Sequence, residues 1–388
     1  MKVLNRLDNS LDLLEEERLL LDAVRALCRD QIRPRAAVYD KSGEFPWDNI
    51  DGINELGLNG MFIPEEYGGV QMTYCAYLAA VREIGKACAA TGLIWGTTFH
   101  AIKPVIDFAN HQQKTQFLPR IAQGGLASLC ITEPTAGSDA THMKTRFVPD
   151  GDHIIVRGGK TFISTGDHAD LLVLFGKWSE IENDKKAISV ILIEKGAAGL
   201  SVIGKEDKMG QRAASTVSLS FDDVRVPQEN LLGEPGDGLK ILFTALNKSR
   251  PSIAAHALGI ARAAFEEAVA YINKRQQSGQ NIIDFQGIQF MLADMATDLA
   301  LCESWLWRIG AMIDQGEEDV GIEASMLKMR ASDLAMRITT DAVQLHGGYG
   351  YCKDYAVERY MRDAKITQIY EGTNQIHRQL IGRSFIER

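Results

Sequence analysis

The sequence predicts an α+β protein, mainly α, built as helices, then a β-region, then helices. Two changes of hydrophobic period carry this expectation. Apolar residues recur at helical spacing over residues 1–125, give way to short strand-like runs over 126–235, and resume helical spacing over 236–388. A chain of 388 residues has room for two or three packed units of this kind.

In the first part, Leu20, Val24, Leu27, Cys28 and Ile32 form a helical stripe expected to stop before Pro34. Phe45-Pro46-Trp47 opens a second helix, carrying Ile50, Ile53 and Leu56 before Gly57. Pro64 to Gly69 reads as a loop. Two apolar helices follow, near 73–88 and 90–109. The second, with Ile94, Trp95 and Phe99, is apolar almost all round, so it is buried or lines a cavity. In the second part, runs at 153–157, 171–175, 187–193 and 216–221 lie between Gly, Asp and Asn turn signals, as in a small barrel or sandwich. In the third, Phe285, Ile288, Met291, Leu292, Met295 and Leu299 make one long stripe. Met326, Met329, Leu334, Ile338, Val343 and Leu345 make another.

Bulk properties exclude several function classes. The balance of 42 basic and 51 acidic residues, net −9, disfavours non-specific nucleic-acid binding and anionic membrane surfaces. The aliphatic run 188–193 is too short to span a bilayer, and the acidic N-terminus does not resemble a secretory signal. Six scattered cysteines without a CxxC pair, and no HExxH, point to thiols in a reducing cytoplasm rather than to disulfides or a metal site. Neither GxGxxG after a strand nor GxxxxGK[ST] occurs.

Four segments could carry chemistry. In Ile369-Tyr370-Glu371-Gly372-Thr373-Asn374-Gln375, an apolar flank can raise the basicity of Glu371, and Gly372 permits close approach of a ligand. Taken locally, the same residues read more readily as a helix N-terminus capped by Thr373 or Asn374. The stretch from Cys130 to Asp139 exposes backbone N–H groups and hydroxyls that could bond a planar ring or a phosphate, or it is a plain connecting loop. Phe162 and Ser164, within Lys160 to Gly166, share a facing on a strand and could meet an aromatic cofactor or simply pack. Gln344 to Gly350 is glycine-rich at a helix end, which fits a C-cap or a ligand cradle. Arg250 and Arg275 are lone basic residues, a type that serves a surface ion pair more often than a ligand.

Taken in order, these segments resemble the flavin-dependent acyl-CoA dehydrogenase family over nearly the whole chain. The resemblance also rests on Phe221 to Asn230, Phe285-Gln286-Gly287-Ile288-Gln289, Leu292-Ala293-Asp294-Met295 and Met361-Arg362-Asp363-Ala364. It implies an N-terminal helical domain (1–125), a central β-barrel or sandwich domain (126–235) and a C-terminal four-helix bundle (236–388). It implies FAD lying between β-domain and bundle. Ile131, Thr132 and Ser138 then match flavin contacts, with Phe162 in place of the usual Trp and Ser164 in place of the usual Thr. Arg275 and Gln286, with Gln344, Gly347 and Gly348, match contacts to the FAD of a neighbouring subunit, in a homotetramer arranged as a dimer of dimers. Ser278 departs from an expected Phe in that contact, and Thr373 and Gln375 match further FAD positions.

The resemblance makes Glu371 the base that removes the α-proton of an acyl-CoA thioester, with hydride passing to flavin N5 and a 2-enoyl-CoA as product. Some relatives carry the base just before the equivalent of Arg250, where this chain has Ser249. Ser138, Arg250, Gly372 and Arg383 match contacts to the CoA thioester, and Asn247 replaces an Asp near the CoA arm. Thr91, where decarboxylating relatives have an Arg, argues against a dicarboxylic substrate. Trp95 and Phe99 point to a short, branched or alicyclic acyl group. An electron-transfer flavoprotein is the implied electron acceptor. Two other readings are an acyl-CoA lyase, such as a desulfinase, with structural FAD, and a non-enzymatic CoA-binding protein. The Glu at 371 discriminates against the first, and FAD binding against the second.

Overall fold

The computed structural model describes residues 2–9, 11–183, 185–317 and 319–386. Helices α1 (Lys2–Asn9), α2 (Glu15–Leu27), α3 (Arg33–Ser42) and α4 (Trp47–Glu55) lead the chain. The expected stop before Pro34 does not occur. A π-helical turn, Cys28–Ile32, joins α2 to α3, and Pro34 falls in the first turn of α3. There the missing N–H of proline removes little bonding, and the widened turn gives its ring room. The helix ends instead at Gly43, which is left-handed at φ +69° and donates its N–H to the Tyr39 carbonyl.

The apolar helices lie at α5 (Tyr74–Ala87) and α6 (Ala89–Phe108). A further helix, α7 (His111–Ala122), is absent from the sequence reading, although Asn110 and Gln113 form a reciprocal capping box before it. Helix α6 is apolar on all sides because it serves two cores. Ile94, Trp95 and Phe99 pack with α5 and the C-terminal helices, while Ala101, Ile102 and Val105 pack against the sheet.

The strands are β1 (Ala127–Cys130), β2 (Arg146–Asp150), β3 (His153–Ser164), β4 (Leu171–Trp178), β5 (Ile188–Glu194), β6 (Leu200–Lys205), β7 (Thr216–Pro227) and β8 (Leu231–Leu232). They form one eight-stranded sheet ordered β6-β7-β3-β2-β4-β5-β8, with β1 parallel to β4. Leu171, Val173 and Phe175 face the helices, while Leu172 and Leu174 face an inner core with Val217, Leu219 and Phe221 of β7. Burial on both faces explains why β4 and β5 read as unbroken aliphatic runs.

The C-terminal part comprises α8 (Gly238–Ile272), a hairpin of β9 (Gln276–Gln277) and β10 (Gln280–Asn281), α9 (Gln286–Asp314), α10 (Gly321–His346), α11 (Val357–Lys365) and α12 (Asn374–Ser384). Small residues set how closely α5, α6 and α8 approach. A Cβ at Gly85 or Gly92 would come within 2.9 Å of His256 Nδ1. The α9 stripe is buried only at Met295 and Leu299, while Ile288, Met291 and Leu292 stay partly open beside exposed Phe290. Of the expected α10 stripe, Leu334, Ile338 and Leu345 are buried while Met326, Met329 and Val343 are half-buried; the buried face runs instead through Leu327, Ala331, Leu334 and Ile338, and it includes the fully buried Lys328. Among the described residues, no helix is long and apolar enough to cross a membrane. Nor does any group of three or more His, Cys, Asp or Glu among them have the arrangement of a metal site.

Candidate active site

The loop between α11 and α12 places Glu371 where α6, α8 and α10 converge. Thr373 caps α12 by accepting the Ile376 N–H at 3.3 Å, so the helix-start reading of this segment holds. The two residues before the cap turn back on themselves, with φ of +53° at Glu371 and +94° at Gly372. Glycine adopts this conformation freely, but a glutamate in it is strained by about 1 kcal/mol or more. Such strain persists only where surrounding contacts impose the conformation.

The carboxylate is held on one side and flanked on the other. Ser249 Oγ of α8 donates to Glu371 Oε2 at 2.7 Å. His100 of α6 lies with Nδ1 3.7 Å from Oε1, too long for a hydrogen bond. Burial drives the imidazole of His100 below its ordinary pKa, and the nearby Glu371 charge only partly opposes this. Glu371 itself keeps 16 % of its side chain exposed. Arg250 is buried on α8, donates to Ser325 Oγ at 3.2 Å and leaves its Nε unpartnered. Burial lowers its pKa, again opposed by Glu371.

Beside this group stands a wall of rings. Trp95 lies 5.4 Å from Tyr77 and 6.2 Å from Phe62, while Phe99 lies 4.2 Å from Tyr77. Tyr77 Oη shares a 2.8 Å hydrogen bond with Ser252, and the Glu371 charge adds to the burial that raises its pKa. Thr91 stands apart from this group. It is fully buried one turn earlier on α6, and its hydroxyl accepts from Asn49 Nδ2 at 3.0 Å. Asn247 lies half-buried against Gly321 at the start of α10, and Arg383 is exposed near the end of α12.

The β-domain residues form a second surface. Phe162 is 63 % exposed and left-handed at φ +57°, at an irregularity between β3 and β7. That conformation is rare for a bulky residue and presents the ring to solvent. Ser164 is half-buried on the same strand. Beneath them the buried Lys160 donates to the Ile131 carbonyl at 2.8 Å and to Glu133 Oε1 at 2.8 Å. Glu133 also accepts the N–H groups of Lys144 and Thr145, so the loop from Ile131 through exposed Ser138 is anchored from within. The Thr132 carbonyl accepts the Thr161 N–H at 2.9 Å.

A third surface is a cavity of about 550 Å³ that brings Arg275, Gln344, Gly347 and Gly348 together with Tyr271 and Tyr349. Arg275 lies 5.6 Å from the centre of the Tyr349 ring. A Cβ at Gly347 or Gly348 would meet nothing within 4 Å, so the space beside both is open. Gln286 is exposed at the start of α9. The Ser278 departure is accommodated in the β9–β10 turn, with φ of +52° at Ser278 and +82° at Gly279. Thr373 and Gln375 line a separate cleft of about 530 Å³ with Asp333, Gln368 and Arg378.

Sequence reading missed His100, Ser249 as a partner of Glu371, Lys328 and the buried, unpartnered His377. One signal was present: Lys328 sits on a helix face whose other members, Ala324, Ser325, Ala331 and Ser332, are small.

Comparison with known proteins agrees with the geometry. The family models for the acyl-CoA dehydrogenase N-terminal, middle and C-terminal domains match residues 14–125, 128–224 and 236–386, in that order. An acyl-CoA dehydrogenase of Bacillus subtilis is 40% identical over 371 residues, 95% of this chain and 97% of the relative. Butyryl-CoA dehydrogenase from Megasphaera elsdenii superposes with a TM-score of 0.94 at 35% identity, covering 97% of this chain and 100% of its own. A chain of the structure described as an electron transferring flavoprotein of Acidaminococcus fermentans also scores 0.94, at 39% identity over 97% of this chain and 99% of that one. An acyl-CoA dehydrogenase from Bacillus anthracis complexed with FAD scores 0.89 at 31% identity, covering 96% of this chain and 67% of that one. This chain therefore belongs to the acyl-CoA dehydrogenase family of oxidoreductases.

Proposed function

We propose that the protein oxidises an acyl-CoA thioester to the 2-enoyl-CoA, with Glu371 as the base that takes the α-proton. The observation that carries this reading is the Glu371 carboxylate itself. It is held by Ser249 at 2.7 Å on a strained left-handed turn, and it remains partly open to a ligand. The proton passes to Glu371 as the α-C–H bond breaks. The electron pair left behind delocalises into the thioester carbonyl, where the Glu371 backbone N–H is available as a donor. Loss of hydride from the β-carbon completes the double bond.

The residues present fit FAD. An exposed aromatic face at Phe162, hydroxyls at Thr132, Ser138 and Ser164, and the open glycine cradle beside Arg275 suit a planar ring, polar edges and a pyrophosphate. Ile131, Gln286, Gln344, Thr373 and Gln375 complete the proposed contacts. When bound, FAD supplies the hydride acceptor at its N5. Arg250, Asn247, Gly372, Arg383 and Ser138 are proposed to hold the CoA thioester.

Short, branched or alicyclic acyl groups are favoured by the ring wall of Trp95, Phe99 and Tyr77 beside Glu371. A homotetramer is supported by exposed Phe290, Leu301 and Trp305 on α9, and an electron-transfer flavoprotein as acceptor by the Acidaminococcus relative. A cytoplasmic location belongs to the same reading, in line with cysteines that are all unpaired thiols. The deciding experiment is Glu371→Gln. The variant should keep its yellow FAD and lose anaerobic bleaching by acyl-CoA; bleaching at the parental rate would overturn the assignment.

A further inference from the structure

Lys328 is the most unusual buried charge near the site. It lies inside α10 with no exposed surface, among Leu327, Ala331 and Leu334 of the helix core. Its ammonium donates to the carbonyl of Gly372 at 2.6 Å and to Asn374 Oδ1 at 3.2 Å. Asn374 is fixed in turn by Ser332 Oγ at 2.9 Å and Asp333 Oδ1 at 2.8 Å, both also on α10. Asp333 reaches on to Arg378 of α12 and Gln368. One face of α10 thus grips the chain immediately after the base. On the other side of Gly372 the ring of His377 is so close that a Cβ there would sit 3.2 Å from Nε2.

We propose that Lys328 is a positioning residue for the base. By holding the Gly372 carbonyl it keeps Glu371 in its left-handed conformation and so fixes where the carboxylate stands.

This inference rests on Glu371 being the base. The strain at Glu371 requires a compensating contact, and a charge-assisted bond to the next carbonyl supplies one at the point of strain. The charges and titratable groups facing Lys328 are Glu371 from the loop, Arg250 from α8, Asp333 from α10 and His377 from α12. Burial pulls the Lys328 ammonium down to about 7; Glu371 opposes this and Arg250 adds to it. Glu371 thus favours the charged form of Lys328. In the step concerned, the α-C–H bond breaks, the proton goes to a Glu371 oxygen, and the electron pair enters the thioester enolate.

The test separates this step from oxidation. Acetyl-CoA has α-protons but no β-carbon, so its exchange in D2O on the FAD-loaded enzyme, followed by proton NMR, reports the base alone. Lys328→Met should slow exchange at saturating acetyl-CoA by about tenfold or more, since small misplacements of a reacting group cost rate steeply. Acetyl-CoA affinity should change far less. Lys328→Arg, which keeps donor and charge, should recover most of the rate. If the Met variant does not load FAD, Lys328→Gln carries the test with the same expected slowing. A parental rate in either uncharged variant overturns the proposal. Glu371→Gln is the companion control. Exchange that persists in it overturns the base assignment, whereas exchange lost there but unchanged in Lys328→Met overturns only the role of Lys328.

Discussion

Ser249 of α8 and Glu371 of the loop before α12, 122 positions apart, share a 2.7 Å hydrogen bond in which the serine hydroxyl donates. The contact occupies Oε2 and leaves Oε1 on the side of His100. It also joins the loop that carries Glu371 to the middle of α8.

Removing the hydroxyl tests what that contact does. A hydrogen bond donated to the carboxylate fixes where its oxygens point. Ser249→Ala should slow flavin bleaching by about tenfold, the scale of one hydrogen bond to a charged group. FAD content should stay parental. Stopped-flow bleaching measures the step, and a parental rate would remove Ser249 from the chemistry.

The glycine cradle allows a cleaner test of the cofactor surface. Gly347 has φ +59° and ψ −140°, a conformation other residues rarely adopt, so Gly347→Ala strains the fold by about 1–3 kcal/mol. Gly348 carries no such constraint, and a Cβ there meets nothing. Gly348→Ala should leave the melting temperature of the apoprotein unchanged while weakening FAD retention through gel filtration. Parental retention would mean that no ligand approaches that face.

How far the sequence anticipated this arrangement depended on distance along the chain. Glu371, Gly372 and Thr373 are contiguous, so apolar flank, flexible turn and cap were all visible locally. The helix–sheet–helix order was equally legible because hydrophobic period is a local property. Pro34 misled because the π-turn that accommodates it leaves no mark in the hydrophobic pattern. The partners of the base were hidden for another reason. Ser249, His100 and Lys328 sit on buried helix faces and meet Glu371 or its turn only through tertiary packing. The α9 stripe looked like core from its period, yet four of its six residues remain partly open in the single chain.

In the β-domain, Lys160 and Glu133 form a buried pair at 2.8 Å. Lys160→Met leaves the carboxylate without its cation and should cost about 3 kcal/mol or more. The double variant with Glu133→Gln should recover part of that loss, because no charge then remains buried. Urea denaturation of the four proteins in a double-mutant cycle measures the coupling, and additive losses would contradict it.

Two buried histidines set an acid limit on stability. Burial pushes His256 and His377 down to about 3, with His100 adding to the first shift and Lys328 and Arg250 to the second. Their ordinary value is 6.5, so between about pH 6.5 and 3 the unfolded chain binds protons that the folded chain refuses. Stability from these residues is complete above pH 6.5 and is lost as pH falls. In His377→Gln the drop in denaturation midpoint between pH 7 and pH 5 should be smaller than in the parent. An equal drop would show that His377 is protonated in the fold.

The ring wall carries the prediction about substrate. Trp95 is 1 % exposed and packs between Tyr77 and Phe62, on the helix that also places His100 beside Glu371. If that wall bounds the acyl group, Trp95→Ala opens space where a longer chain can extend. Deleting so large a side chain should also cost about 3–5 kcal/mol, so the assay must use a ratio insensitive to the folded fraction. The ratio of kcat/KM for octanoyl-CoA to that for butyryl-CoA meets this need, because both substrates report on the same active enzyme. Each added methylene that finds apolar space is worth about 1 kcal/mol or more, so the ratio should rise by at least about tenfold. A lower melting temperature with an unchanged ratio would assign Trp95 to the core alone. The limit on acyl length would then lie with Phe99 and Tyr77, whose rings are 4.2 Å apart.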